Sequence, residues 1–233
     1  MGIVDFHTHI LPGVDDGSRS VEQSLAMLRM EAEQGIRHVV LTPHFYANHD
    51  SPKRFLSKRK EAYEKLLAAT SEEQGLPSLS LGAEVHFFEG MSDSEFLQEL
   101  AISGTKCVLV EMPMPPWSDR MLNELTEIRQ KQGLIPIVAH IDRYIRPFRL
   151  HGIPERLAEL PVLVQANGSF FNHRTTQRLA IKLLREQKIH LLGSDCHNLE
   201  TRPPNLDGAQ RIIERHLGTE ALHRIYSIER EFI

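Results

Sequence analysis

The feature that most constrains the fold is an alternation of short apolar runs with longer segments of helical periodicity. Seven runs can be read as strands, and they are GIVDFH, RHVVLTPH, LSLGAE, KCVLVEM, LIPIVAH, VLVQAN and IHLLGSD. Continuous apolar and β-branched character is typical of strands that are buried on both faces of a parallel sheet. The alternation of such strands with helices predicts parallel pairing through helical crossovers.

Five segments between and after these runs predict helices. They are VEQSLAMLRMEAEQG, FLSKRKEAYEKLLAATSEEQG, RMLNELTEIRQKQG, TTQRLAIKLLREQK and AQRIIERHLG. Ser18 and Ser20 are candidate N-caps of the first helix, and Gly35, Gly75 and Gly133 stand where helices commonly end. Seven strand–helix units without a linker favour one domain over residues 1–233, built as a distorted TIM-like (β/α)7 barrel.

Composition narrows the classes of partner and the compartment. The formal net charge of −4 gives no general attraction to nucleic acid or to an anionic membrane surface. No apolar run approaches the roughly 18 residues that a membrane-spanning helix needs, so we expect no membrane insertion. The two cysteines indicate a reducing compartment, and GIVDFHTH at the N-terminus does not resemble a signal peptide. We therefore expect a cytoplasmic protein.

Histidine and carboxylate residues fall at the C-terminal ends of six of the seven predicted strands. They are His7 and His9 in the first run, His44 in the second, Glu84 in the third, Glu111 in the fourth, His140 in the fifth, and Asp195 and His197 in the seventh; the sixth ends in Asn167. In a βα barrel these ends all open on one face, where active sites lie. A single residue of this kind is more often a surface histidine or a helix-capping carboxylate. Their coincidence predicts a shared site.

The spacing of these residues supports metal binding. In the H-x-H of the first run and the D-x-H of the last, both side chains can project to the same side and share an ion. Asp15 and Asp16 in the GVDDGS turn add two carboxylates. Mixed imidazole and carboxylate ligands suit Mn, Fe or Zn better than Ca or Mg. About nine ligands are too many for one ion and suit two or three ions bridged by carboxylates.

The stretch GSDCHNLETR, residues 193–202, allows a different interpretation. Cys196 and Arg202 have the C-x5-R spacing of cysteine phosphatases. Such a loop must wrap its backbone N–H groups around a phosphate and lower the cysteine pKa. HNLET contains no glycine for that turn, and the neighbouring Asp195 would raise the thiol pKa. We interpret Cys196 as a bystander between two ligands and Cys107 as a core residue.

Six motifs in a fixed order, HTHILPGVDDGSRS, TPH, GAE, VEMP, AHIDRY and GSDCH, carry a family resemblance. Together they resemble the PHP (polymerase and histidinol phosphatase) family, and most closely its bacterial tyrosine-protein phosphatase branch, which governs capsular and extracellular polysaccharide synthesis. The resemblance spans Met1 to about Pro204 and implies a distorted seven-stranded barrel. It also implies a manganese-dependent protein-tyrosine phosphatase, and the ligand set itself is compatible with iron or zinc.

The resemblance further implies how the ligands divide among three ions. His7, His9, Glu84 and Asp195 would hold the first ion; Glu84, Glu111 and His140 the second; His44, His197 and either Asp15 or Asp16 the third. We favour Asp16 because it directly precedes the turn glycine. Arg143 and Arg202 match arginines of the phosphatase branch and would bind the phosphate, because planar guanidinium groups can each grip two phosphate oxygens.

The expected reaction is metal-assisted hydrolysis of phosphotyrosine in a protein, without a covalent intermediate. The resemblance implies that the natural substrate is the tyrosine-rich tail of an autophosphorylating bacterial tyrosine kinase. His44, His197 or Asp16 could protonate the leaving phenolate. The alternatives are a histidinol phosphatase or another small-molecule phosphoesterase of the same family, an amidohydrolase, a nuclease and a non-catalytic metal-binding module. An amidohydrolase would usually have a carboxylated lysine where this chain has Glu111.

Overall fold

A ring of parallel strands organises the computed structural model of the protein, which describes residues 3–71, 73–145 and 152–232. The strands are β1 (Val4–Thr8), β2 (His38–Leu41), β3 (His44–Phe45), β4 (Ser78–Leu81), β5 (Glu84–His86), β6 (Cys107–Glu111), β7 (Ile135–Val138), β8 (Leu163–Asn167) and β9 (Leu191–Gly193). Their pairing orders are β1-β2-β4 and β3-β5-β6-β7-β8-β9. Because β3 continues β2 and β5 continues β4 after two-residue breaks, the nine strands follow seven paths.

Backbone hydrogen bonds close the ring between the end of β9 and β1. The amide of Asp195 donates to the carbonyl of His7 at 2.8 Å, and the amide of His9 donates to the carbonyl of Cys196 at 2.9 Å. Thr8 and Cys196 form a parallel bridge at the same place. The seven paths therefore form a distorted parallel barrel, which confirms the predicted (β/α)7 fold.

Ten α-helices and a short 3-10 helix, Met91–Asp93, occur in the described part of the chain. The α-helices are α1 (Val21–Glu33), α2 (Pro52–Thr70), α3 (Leu97–Leu100), α4 (Asp119–Gln132), α5 (Ile141–Ile145), α6 (Ile153–Ala158), α7 (Gly168–Asn172), α8 (Gln177–Arg185), α9 (Leu206–Leu217) and α10 (Thr219–Phe232). The predicted helices correspond to α1, α2, α4, α8 and α9. The other five were not predicted. None of the described helices is both long and apolar enough to cross a bilayer.

Most of the predicted helix boundaries are confirmed. Ser20 is the N-cap of α1, and its hydroxyl accepts a hydrogen bond from the amide three residues further on at 3.3 Å. Ser18 is instead buried, and its hydroxyl donates to the carbonyl of Ser20. Gly133, with φ of 67°, is the C-cap of α4, and Gly35 directly follows the C-cap of α1. Gly75 does not end α2, because that helix stops five residues earlier and Gly75 lies in the turn before β4.

The interior of the barrel is apolar at one end and polar at the other. Its apolar part consists of Val4, Phe6, Val40, Ile102, Cys107, Leu109, Ile137, Ala139 and Leu191. On β6, Cys107 and Leu109 belong to this interior cluster, whereas Val108 and Val110 pack in the larger cluster outside. The same alternation places Glu111 on the inner face beyond Leu109. On β6, apolar residues thus come first and the polar residue lies at the C-terminal end.

Helix α10 packs against the N-terminal end of the barrel. Ile228 contacts the interior cluster, and the buried Glu229 accepts a hydrogen bond from the amide of Val4 at 3.2 Å. Burial, together with the negative charge of Asp5, raises the pKa of Glu229 to about 8. The protonated form of this carboxyl is therefore the one that the folded protein favours.

This raised pKa predicts that Glu229→Gln stabilises the protein at alkaline pH. The pKa rises from 4.5 to about 8 on folding, so the free energy of unfolding should fall as pH increases across that window. One pKa unit corresponds to about 1.4 kcal/mol, so the variant should exceed the wild type by a few kcal/mol at pH 8.5 and match it near pH 4.5. Chemical denaturation at both pH values measures the difference.

The matched control for this experiment is Glu220→Gln, which changes an exposed carboxylate in the first turn of the same helix. Its effect on stability should be small and the same at both pH values. A Glu229→Gln variant no more stable than the wild type at pH 8.5 would contradict the assignment.

Candidate metal centre

Strand β1 delivers two histidines to the barrel mouth through a break in its pairing. The register between β1 and β2 shifts between Asp5 and Thr8. Phe6 belongs to the interior cluster, yet the ring of the next residue, His7, also faces inward and lies 5.2 Å from the ring of His9. An irregularity of this kind turns a side chain toward a new direction and is common at barrel rims. Both histidines therefore reach the site.

The carboxylate of Glu84, at the start of β5, lies at the centre of a group of histidines. Its Oε2 atom lies 3.2 Å from Nε2 of His7 and 3.4 Å from Nε2 of His9. The same oxygen lies 2.8 Å from Nδ1 of His44. The other oxygen, Oε1, lies 2.8 Å from Nε2 of His140. A buried carboxylate between imidazoles from three strand ends can bridge neighbouring ions.

Asp195, just beyond β9, faces the same histidines and forms ion pairs with both predicted arginines. Its Oδ1 atom lies 3.6 Å from Nε2 of His7 and 3.5 Å from Nε2 of His9. The guanidinium of Arg202 lies 2.7 Å from Oδ1, and that of Arg143 contacts Oδ2. The φ of Asp195 is 55°, a left-handed conformation that is unfavourable for a non-glycine residue and occurs preferentially at functional sites.

The two carboxylates of the GVDDGS turn have different partners. The side chain of Asp15 is 6% exposed, and its Oδ2 atom lies 2.7 Å from Nδ1 of His9 and accepts a hydrogen bond from the backbone amide of His44 at 3.0 Å. Asp16 is 67% exposed, and its Oδ1 lies 3.5 Å from Nε2 of His44 and 3.4 Å from Nε2 of His197. This geometry favours Asp16 as the ligand and gives Asp15 the role of orienting the His9 ring.

The ligand atoms converge in three groups, each of which could hold a divalent cation. The groups are His9, Asp16, His44 and His197; His7, His9 and Asp195; and His44, Glu84 and Glu111, with ligand atoms within 4.8 Å of one another in each group. They resemble the predicted division among three ions. His140 belongs to none of the three, but its Nε2 atom lies 3.5 Å from Oε1 of Glu111 as well as beside Glu84.

Several atoms of this network are buried without a hydrogen-bond partner among the described residues. They are Nδ1 of His44, Oε2 of Glu84, Oδ1 of Asp195 and Nε2 of His197. The first two lie 2.8 Å apart, and the guanidinium of Arg202 lies 2.7 Å from Oδ1 of Asp195, but neither pair has hydrogen-bonding geometry. Leaving one such group unsatisfied costs about 1–3 kcal/mol, more when it is charged. The set of nitrogen and carboxylate donors therefore fits bound cations, which would satisfy all four atoms at once.

The carboxylates of the network stay ionised at neutral pH. Burial by itself would raise the pKa of Glu84, but neighbouring histidines, His7 first among them, hold it well below its usual range. The same opposition of burial by nearby positive charge, again led by His7, lowers the pKa of Asp195. At Glu111, hydrogen bonding with His140 outweighs burial and lowers the pKa to about 2. The site thus carries the anionic charge that metal ligation requires.

Cys196 lies on the outer side of the barrel wall, in surroundings that disfavour a thiolate. Its side chain is fully buried, and Sγ lies 3.8 Å from Oε1 of Glu31 in α1. Burial, and then the charges of Glu31 and Asp5, raise the pKa of this thiol well above its ordinary value. These contacts support the interpretation of Cys196 as a bystander. Cys107, as predicted, is a core residue of the barrel interior.

Two polar residues of β8 contact the predicted ligands and were not predicted as part of the site. Gln165 is fully buried and accepts the backbone amide of His140 through Oε1 at 2.7 Å. Asn167 donates to Oδ2 of Asp195 at 3.0 Å. The sequence signal was present, because these residues interrupt the apolar run VLVQAN at alternate positions and so share one face of the strand.

Two rings at the rim were also overlooked. His86, which was not predicted as part of the site, lies 3.2 Å from Oε2 of Glu111 through Nδ1. The ring of Tyr46 lies 5.4 Å from that of His86 and 5.4 Å from that of His44. Both positions follow a predicted ligand by two residues on the same strand path, which places them on the same face.

A cavity of about 390 Å³ opens beside the two arginines. Arg143, Asn167, Asp195 and Arg202 are among the residues that line it. Both arginine side chains are 37% exposed, so an anion that enters the cavity can approach them. Two convergent arginines next to a group of ligands form a surface suited to a phosphate ester.

Comparison with known proteins agrees with this geometry. The family model for capsular polysaccharide synthesis, CpsB/CapC, matches residues 3–231. The chain belongs to the CpsB/CapC family. Among CpsB/CapC relatives, the tyrosine-protein phosphatase YwqE of Bacillus subtilis (strain 168) is 29% identical, with 94% of this chain and 86% of YwqE aligned. The tyrosine-protein phosphatase CpsB of Streptococcus agalactiae serotype V is also 29% identical, with 96% and 95% aligned.

Solved structures of the same family share the fold. The structure described as YwqE from Bacillus subtilis and CpsB from Streptococcus pneumoniae, metal-dependent tyrosine phosphatases, matches this CpsB/CapC protein with a TM-score of 0.86. The two chains are 23% identical, and the match covers 99% of this chain and 96% of the other. This likeness confirms the barrel fold that the PHP resemblance implied.

We expect Mn²⁺ to raise the melting temperature of the metal-free CpsB/CapC protein, and Glu84→Gln to abolish most of that rise. At a concentration 100-fold above its dissociation constant, a ligand stabilises the folded state by about 2.7 kcal/mol. For a domain of this size that corresponds to roughly 5–10 °C. The amide of the variant cannot bridge cations as the Glu84 carboxylate can. Differential scanning calorimetry with and without Mn²⁺ measures the effect.

The control is Glu64→Gln, an exposed carboxylate on α2, which should leave the Mn²⁺-dependent rise unchanged. An undiminished rise in the Glu84→Gln variant would contradict the central position of Glu84.

Proposed function

We propose that this CpsB/CapC protein is a metal-dependent protein-tyrosine phosphatase. The observation that carries the proposal is the meeting of three ligand groups with two arginines at one barrel mouth. Relatives that align along nearly the whole chain are named tyrosine-protein phosphatases. The YwqE and CpsB proteins of the matching solved structure are described as metal-dependent.

We assign His7, His9, Asp16, His44, Glu84, Glu111, His140, Asp195 and His197 as the residues that would hold two or three ions. Manganese is the proposed metal, and the donor set would also accept iron or zinc. The bound ions would supply Lewis acidity toward the phosphoryl oxygens and an activated water that attacks phosphorus at neutral pH. Glu84 is the proposed bridge because both of its oxygens face imidazoles.

Arg143 and Arg202 are proposed to bind the phosphate of the substrate. Each arginine contacts a different oxygen of Asp195 and borders the cavity beside it. A phosphate dianion in that cavity would offer oxygens to both guanidinium groups, which match its geometry better than lysines would. The arginines would then stabilise the charge that develops on the equatorial oxygens as the ester bond breaks.

The leaving group needs little assistance in this mechanism. A tyrosine phenol has a pKa of about 10, so its anion leaves far more easily than an alkoxide. Asp16 is the most exposed of the assigned ligands and lies beside His44 and His197, so these three side chains are the candidates to pass a proton to the phenolate. The side chains of Tyr46 and His86 lie on the same part of the rim, close to His44.

A phosphotyrosyl protein is the proposed substrate, and a bacterial tyrosine kinase that controls capsular or extracellular polysaccharide synthesis is the proposed partner. The description of the family as capsular polysaccharide synthesis supports this process. The cytoplasm is the proposed compartment, which agrees with two free, buried thiols. The amidohydrolase alternative is less well supported, because Glu111 occupies the place of its bridging lysine and contacts His140.

The nature of the nucleophile can be tested with two variants. Cys196→Ser should keep most of the activity toward an aryl phosphate, because the thiol is buried and its pKa is raised. His7→Ala should lower that activity by at least about 100-fold, because it removes a residue that orders two carboxylates of the site. Steady-state hydrolysis of p-nitrophenyl phosphate with added Mn²⁺ measures both. Loss of activity in Cys196→Ser with retained activity in His7→Ala would instead favour a thiolate nucleophile.

The class of substrate requires a second comparison. A phosphotyrosyl peptide should be hydrolysed with a higher kcat/KM than histidinol phosphate by the same Mn²⁺-loaded protein. A preference for histidinol phosphate would favour the small-molecule phosphatase alternative and leave the metal site unaffected.

A further inference from the structure

The amides of Gln165 and Asn167 link four strand ends in one directed chain of hydrogen bonds. We propose that these two residues are positioning residues, which hold His7 in the correct tautomer and Asp195 in the correct orientation to bind a cation. The inference rests on the metal site proposed above. It concerns side chains that contact ligands and do not themselves ligate.

The direction of the chain is set at His140, where a backbone amide can only donate. That amide donates to Oε1 of Gln165 at 2.7 Å, which fixes the orientation of the Gln165 amide. The same oxygen lies 3.3 Å from Nδ1 of His7. Because an oxygen can only accept, Nδ1 of His7 must carry the proton. When the ring is neutral, the Nε2 atom of His7, which faces Glu84, His9 and Asp195, is therefore the nitrogen whose lone pair is free for a metal.

The second half of the chain runs from Gln165 to Asp195. With Oε1 of Gln165 facing His140, its Nε2 atom donates to Oδ1 of Asn167 at 3.0 Å. Asn167 must then present its amide nitrogen to Oδ2 of Asp195, to which it donates at 3.0 Å. One backbone N–H thus determines the hydrogen-bonding direction of two side-chain amides. The other carboxylate oxygen of Asp195, Oδ1, remains directed at His7 and His9.

Gly193 leaves the space in which the hydrogen bonds pass from β8 across β9 to β1. Strand β9 lies between β8 and β1, and Gly193 pairs with Asn167. A Cβ atom at Gly193 would lie 2.6 Å from Cβ of His7 and 2.7 Å from Nε2 of Gln165. Any side chain there would force the two residues apart. The glycine therefore belongs to the same arrangement, because it lets a β8 side chain reach a β1 histidine.

The chain of hydrogen bonds also connects the two proposed ligands whose backbones adopt unfavourable conformations. His140 has φ of 30° and Asp195 has φ of 55°, both in the region that L-residues rarely adopt. Gln165 holds the first through its backbone amide, and Asn167 holds the second through its carboxylate. Asn167 is itself fixed, since its backbone amide donates to Oδ1 of Asp142 at 3.0 Å. A buried amide pair with these partners is well suited to keep both ligands in place.

The decisive experiment measures Mn²⁺ binding to metal-stripped protein by calorimetry and the tautomer of His7 by ¹⁵N NMR. Gln165→Leu should weaken the tightest Mn²⁺ binding by about 10–100-fold, the usual effect of losing a hydrogen-bond partner of a ligand. It should also remove the preference of His7 for a proton on Nδ1. Gln165→Glu keeps an acceptor for both His140 and His7, so it should restore the tautomer.

Two further variants separate positioning from stability. Asn167→Ala should weaken Mn²⁺ binding but leave the His7 tautomer unchanged, because Oε1 of Gln165 is still held by His140. Val164→Ala, at the adjacent position of β8 and facing the outer core, should lower the melting temperature without changing either measurement. This control distinguishes a positioning role from general loosening of the strand.

The inference would be overturned by Mn²⁺ affinities within twofold of the wild type in both Gln165→Leu and Asn167→Ala, whereas the proposed phosphatase activity would be unaffected. A Gln165→Leu protein in which His7 still carries its proton on Nδ1 would overturn it as well. If Gln165→Leu does not fold, Asn167→Ala decides the effect on Mn²⁺ binding, and the ¹⁵N spectrum of the wild type decides the tautomer, because a neutral His7 with its proton on Nε2 would also overturn the inference. A wild-type protein that binds no Mn²⁺, Fe²⁺ or Zn²⁺ would refute the metal site itself, and with it the positioning role.

Discussion

The structure depends on how several carboxylates and histidine rings can be buried together at the C-terminal mouth of the barrel. Glu84, Asp195 and Glu111 are ionised there, and atoms of Glu84 and Asp195 have no hydrogen-bond partner in the described part of the chain. Both carboxylates have charged or imidazole neighbours, but a buried oxygen that forms no hydrogen bond still costs the folded protein free energy. Bound cations would remove that cost, so we propose that ligand convergence and cation binding are a single property of this barrel.

The barrel meets this demand by separating its two ends. Alternating residues such as Leu109 fill the interior with apolar side chains toward the N-terminal ends of the strands. The same alternation places Glu111 in the interior at the C-terminal end of β6. Departures from regular geometry then adjust individual ligands. The register shift in β1 turns His7 inward, and left-handed backbone conformations orient His140 and Asp195. The regular fold therefore places the site, and local irregularities complete it.

The sequence allowed the seven strand paths, five helices and the convergence of the proposed ligands at one barrel mouth to be predicted, because strand period and strand ends are local properties. Other features depend on tertiary contacts that no local pattern records. Helix α10 and the four short helices were missed, and so was Gln165, whose role depends on a backbone amide in another strand. The proposal of Asp16 rather than Asp15 as a ligand also gains its support from coordinates, through the distances to His9 and His197.

The central claim is that side chains from separate strand ends bind a cluster of cations at one barrel mouth. Anomalous diffraction from crystals of the protein grown with Mn²⁺ tests it most directly. We predict two or three peaks, each with donor atoms of His7, His9, His44, Glu84, Asp195 or their neighbours in the site at about 2.0–2.3 Å, as is usual for nitrogen and carboxylate ligands. A density map with no peak among these residues, or with peaks only elsewhere on the protein, would contradict the account.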